Sequence, residues 1–187
     1  MTTPDLLYPY VVPASWTAHV GPENVLAWAT GSDVHVVLVF DGDGTVRNVR
    51  PQDLDALQLD KAQAFDTANQ NLARAWQREA FSFGFAELKD GTVIAGARGN
   101  WMAPAAALVL GDFHTALKER FGNTPIAAVA VNQECLFAFP TDERTLASQS
   151  LRLAIDDEFT GHRKPISRQW LLLDGKWPRA YPGEQLF

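Results

Sequence analysis

The sequence predicts an α+β protein, an antiparallel sheet of hairpins with about three helices on one face. Three observations carry that reading. Ala106, Leu110, Phe113, Leu117 and Phe121 recur at steps of four, three, four and four, which lines them along one side of a helix. Two apolar runs follow, Ile126 to Val131 and Cys135 to Phe139, and the second has the crowded large side chains of a strand at Leu136, Phe137 and Phe139. Helical patterns also alternate with pairs of strands rather than single ones, which favours α+β over a doubly wound parallel sheet.

A chain of 187 residues is near the size of one domain. We read residues 1–187 as a single α+β domain, with 1–33 as a partly ordered N-terminal extension. The first thirty residues show no consistent period, although Trp16, Val25, Leu26 and Trp28 are too apolar to lie wholly in solvent. Val34 to Phe40 and Thr45 to Val49 then form a hairpin across Asp41-Gly42-Asp43-Gly44, residues that take up positive φ at low cost. A calcium loop fails there, because Val46 and Gln52 stand where an EF-hand needs glycine and glutamate.

Pro51 ends the second strand, since it has no N–H for a ladder. A helix near 59–76 follows, with Asp60 as its cap; Leu59, Phe65, Leu72 and Trp76 form its apolar side, and Arg74 lies on its wetter face. Phe81, Phe83 and Phe85 alternate with Ser82, Gly84 and Ala86, and Lys89 to Thr92 turns that strand into Val93 to Ala97. A central helix is expected over 101–121, capped by Asn100, with Pro104 in its first turn and Gly122 closing it. A third helix, 142–160, is capped by Thr141 or Asp142. Its acidic run Asp156-Asp157-Glu158 opposes the helix dipole, an effect that His162, Arg163 and Lys164 could offset. Trp170 to Leu173 reads as a last strand, and the tail as loose or docked through Tyr181 and Phe187. No internal repeat is visible.

This order of elements resembles the YtpQ-like family of bacterial proteins, a domain of unknown function. The resemblance rests on Arg50-Pro51-Gln52-Asp53-Leu54, Ala68-Asn69-Gln70-Asn71-Leu72, Asn100-Trp101-Met102-Ala103, Cys135-Leu136-Phe137, Pro165-Ile166-Ser167 and Asp174-Gly175-Lys176-Trp177. It implies an α+β fold and a bacterial cytoplasmic protein, and nothing about substrate.

Net charge is −6. Residues 161–187 carry five basic and two acidic side chains, or +3, so the remainder holds −9. An acidic body of this kind argues against nucleic-acid binding, which relies on a basic stripe. No apolar run reaches the roughly 18 residues of a membrane span. The start lacks the basic flank of a secretory signal and Cys135 stands alone, so a cytoplasmic location is expected. His19, His35, His114 and His162 lack the short spacing of a zinc site. No nucleophile elbow, P-loop or dinucleotide fingerprint occurs, and no cofactor is expected. Cys135 reads as a core residue rather than a nucleophile.

Polar groups gather with a purpose only where a strand gives way to a helix, at Arg98, Asn100 and Trp101, where free amides, a guanidinium and a flat ring could meet a ligand. The expectation is a non-catalytic protein-binding domain, an adaptor or a toxin-neutralising immunity-type protein, with a basic partner such as a toxin. The alternative is a small-ligand-binding protein or enzyme with its site near the Arg98–Trp101 junction.

Overall fold

The computed structural model describes residues 3–42, 44–78, 82–99, 104–175 and 177–183. Within them the chain is α+β, with antiparallel strands and several helices. The strands form two sheets rather than one. The first joins β1 (Leu7–Pro13), β2 (Ala27–Ala29), β3 (Val34–Gly42) and β4 (Thr45–Asn48), with β3 at its centre. The second is six-stranded and runs β10 (Arg179–Ala180), β9 (Leu171–Leu172), β7 (Ile126–Asn132), β8 (Cys135–Pro140), β6 (Val93–Arg98), β5 (Ser82–Glu87).

The expected N-terminal extension is instead an integral part of the first sheet. β1 pairs with β3 along its whole length, from Leu7 opposite Phe40 to Pro13 opposite Val34. Pro9 and Pro13 obscure this strand in the sequence, yet both are compatible with it, because β1 is an edge strand and one side of its ladder is unused. A short helix, α1 (Ala14–Val20), follows directly. Asn71 ties the beginning of β1 down: buried on α3 (Lys61–Gln77), it donates to the carbonyls of Pro4 and Leu7, each at 2.8 Å. Its own side-chain oxygen accepts from Arg74. The start of α3 is fixed by a reciprocal capping box between Asp60 and Gln63.

The central helix is shorter than expected. Residues Pro104–Val109 form a 3-10 segment in which every residue is buried, and α4 begins only at Gly111 and runs to Phe121. The stripe still faces the core: Ala106, Leu110, Phe113 and Leu117 are buried and Phe121 packs against them. An amphipathic helix needs a wet side, and Pro-Ala-Ala-Ala-Leu-Val has none. Asn100, the expected cap, lies outside the described residues. The third helix is likewise divided, into α5 (Glu143–Ala147) and α6 (Gln149–Gly161), because Asp142 and Ser148 each cap a separate turn through the amides of Thr145 and Leu151.

The helices do not share one face. Alternation along β7 sends Ala128 and Ala130 into the cluster containing Pro104–Val109 and α4, and Ala127, Val129 and Val131 into the cluster built on Leu151 and Ile155 of α6. The six-stranded sheet is therefore covered on both sides, as the unbroken apolar run of β7 requires. One order of elements does recur, although the residues do not repeat. The β3–β4 hairpin leads through Pro51 to α2 (Asp53–Leu57) and α3, as the β7–β8 hairpin leads through Pro140 to α5 and α6.

Aromatic contacts link the layers. Phe83 of β5 stacks on Trp76 at 5.1 Å and meets Phe113 edge-on at 5.1 Å. Trp28 stacks on Trp177 at 4.9 Å with Phe65 edge-on to both, and Tyr181 packs on Trp170, so these two late residues are docked, whereas Phe187 lies outside the described residues. Asp90, in the β5–β6 turn, accepts from Ser148 at 2.6 Å and from the Thr92 amide at 3.1 Å. These hydrogen bonds hold its carboxyl well below the usual carboxylate range.

These contacts set the expected outcomes of four substitutions. Phe113→Ala should cost about 3–5 kcal/mol in denaturant unfolding, since a fully buried ring leaves a cavity that its neighbours cannot fill. Asn71→Leu should cost about 1–3 kcal/mol by stranding the buried Leu7 carbonyl and releasing that of Pro4, whereas Arg74→Ala should cost about 1 kcal/mol or less because water can replace an exposed guanidinium. Asp90 has a folded pKa below its ordinary value of 3.8, so its contribution is present above that pH and is lost as pH falls further. Melting temperatures of wild type and Asp90→Asn should accordingly differ at neutral pH and converge in acid.

Candidate functional site

Arg98 closes β6 opposite Ser82 of β5, and its side chain crosses to α6, where its guanidinium donates to Glu158 at 2.6 Å. This ion pair answers one charge of the acidic helix end. Arg168 answers another by donating to Asp156 at 2.5 Å, so Arg98 and Arg168, rather than the expected His162, Arg163 and Lys164, supply these cations. Asn100 and Trp101 lie outside the described residues, and of the three expected binding residues the structure places Arg98.

Two hollows meet at the Arg98–Glu158 pair. One is a trough of about 650 Å³ between α6 and the β5–β6 hairpin. Its floor is bare because Gly84 and Gly96 stand directly opposite each other in the ladder, with Ala86 beside them. Neither glycine is required by sterics. A Cβ on Gly84 would have nothing within 4 Å, and one on Gly96 would make only ordinary contacts at 3.7 and 3.9 Å. Their effect is to leave an open channel, with Phe137 and Ala154 as apolar walls and Asp157 exposed on the rim.

The second hollow, about 440 Å³, is polar and gathers Asn132, Glu134, Cys135 and His162 beside the same ion pair. Its chemistry is restrained. Burial first, and then the charge of Glu158, push the Cys135 thiol up to about 12 against the opposing influence of Arg98, so it is protonated at neutral pH. His162 is engaged elsewhere. Its Nδ1 accepts from the Lys164 amide at 3.1 Å, and its Nε2 lies 3.7 Å from Glu134. His114 is also committed, since its Nε2 donates to the Leu108 carbonyl at 2.8 Å while Asp112 points to solvent from the first turn of α4. Among the described residues no group of three or more His, Cys, Asp and Glu could hold a metal ion. No helix among them is long and apolar enough to cross a membrane.

The sequence singled out Arg98 but missed its partner Glu158, which is sixty positions away, and the facing glycines. A signal for the glycines was present, because one side of the alternating segment Ser82 to Ala86 carries only small residues. Comparison of the chain with family models, with curated proteins and with solved structures finds no match, so the resemblance to the YtpQ-like family rests on the residues quoted for it and the functional reading on the geometry of this cleft.

Proposed function

We propose that this chain is a non-catalytic protein-binding domain that receives an extended, basic segment of a partner as an added strand on β5. The supporting observation is a contrast among the edge strands. Exposed sheet edges normally carry proline or lysine, or are very short, because an unprotected edge pairs with any extended chain. β1 carries Pro9 and Pro13, β2 has three residues, β4 has four and β10 has two. β5, at the end of the six-stranded order, runs for six residues, Ser-Phe-Gly-Phe-Ala-Glu, without either device, and all but Phe83 are exposed.

An added strand would gain affinity from main-chain hydrogen bonds and specificity from side chains set into the trough beside it. Asp157 on the rim and the net charge of −6 favour a basic segment and speed its encounter. A basic protein partner such as a toxin fits this chemistry. The alternative, a small ligand held at the Arg98 junction, draws on the polar hollow, where Arg98 is already engaged by Glu158 and Cys135.

Selection of extended peptides from a displayed library, followed by amide exchange on the complex, tests the proposal. Lys- and Arg-rich peptides should be enriched and should protect the amides of Ser82–Glu87. Gly84→Trp, whose side chain would fill the trough from a position with open space above it, should weaken binding about tenfold or more while leaving the melting temperature nearly unchanged. Protection centred elsewhere, or full affinity in Gly84→Trp, would remove the basis of the assignment.

A further inference from the structure

A separate cleft lies between one face of the first sheet and the segment that follows α6. Its volume is about 420 Å³, within the ordinary range of small-molecule sites, roughly 300–1,000 Å³. Val12, Val37 and Val39 form the floor and Ile166 part of the roof, and each of these is at most 7% exposed. A molecule lying on them would be largely removed from water, which demands an apolar body. The roof is held in place, since the Ile166 amide donates to the Val131 carbonyl at 2.8 Å and Pro165 bridges to Asn132. The cleft therefore exists before any ligand arrives.

Its polar groups are unevenly signed. Lys164 is the charged residue of the described lining, accompanied by the amides of Asn48 and Gln133. The Tyr10 hydroxyl, also on the lining, donates to Asp41 at 3.0 Å, so that nearby carboxylate is engaged with the protein. In a chain of net charge −6, an apolar slot with a cation at its mouth selects for the opposite charge on its ligand.

We propose that this cleft binds an apolar carboxylate, with the hydrocarbon chain on the valine floor and the head group at Lys164. The inference is independent of partner binding at β5.

Calorimetric titration of the intact chain with decanoate and, separately, with decyltrimethylammonium at low ionic strength tests it. Decanoate should bind about tenfold or more tightly than the cation, and Lys164→Glu should abolish or reverse that preference. Val46→Trp, made at a partly exposed position on the lining, should fill the cleft and lower decanoate affinity about tenfold without a large change in melting temperature. Equal affinity for the two amphiphiles, no measurable decanoate binding, or decanoate binding indifferent to both substitutions would overturn the proposal.

Discussion

The packing of Pro104–Val109 is the constraint on which the rest of the structure depends. This segment has no exposed residue, touches β1 of the first sheet and lies against β6, β7 and β8 of the second, so it is the wedge that joins them. A backbone can lie this deep only where its neighbours are small. Ala105, Ala106 and Ala107 meet a sheet face carrying Ala95, Ala97, Ala128, Ala130 and Ala138, all buried in the same cluster. Close packing of this kind leaves no slack, and an added methylene would have to move a sheet. Buried polar groups must also be satisfied within the wedge. The Ala105 amide finds the Gln133 carbonyl at 3.2 Å, and the Leu108 carbonyl accepts from His114, so the same arrangement that fixes the wedge withdraws His114 from chemistry.

Much of the architecture could be read from the chain because its local signals agree with its packing. The hairpins at β3–β4, β5–β6 and β7–β8 follow apolar or alternating runs with turn residues between them, α3 follows its Asp60 cap, and the closing glycine of α4 is Gly122 at φ 67°. What was not legible has a common cause. Periodicity reports which side of an element is apolar, not whether a second sheet lies beyond it. The four-three-four-four stripe is therefore correct as a description of core residues and wrong as evidence for one continuous helix. β1 was hidden by its prolines, which fit only once β3 is known to occupy one side of it. The unbroken run Ile126 to Val131 carried the evidence for a sheet covered on both faces, but an apolar run alone does not say which elements cover it.

The cleft was partly legible for a related reason. Arg98 could be named because a strand end beside a glycine is a recognisable place for a cation. Glu158 could not, because the Arg98–Glu158 pair exists only after α6 has been laid across the far face of the sheet. The same placement of α6 gives the trough its wall. Without a helix there, the facing glycines Gly84 and Gly96 would be a flat stretch of ladder and Asp157 an isolated surface charge.

Protection of the sheet edges connects fold and function. A sheet buried on both faces must still end laterally, and each end is a row of unpaired amides and carbonyls. This chain limits that exposure with two prolines in β1 and with very short strands at β2, β4 and β10. β5 is different in kind: its inner side is committed to the Trp76–Phe83–Phe113 contacts, so its register is fixed, while its outer edge carries neither proline nor lysine and its one charge, Glu87, stands at its end. An edge anchored from behind presents its hydrogen-bonding groups at fixed positions, which lowers the entropy lost when an extended segment adds to it. The aromatic packing that stabilises this end of the sheet thus also supports the proposed pairing at β5.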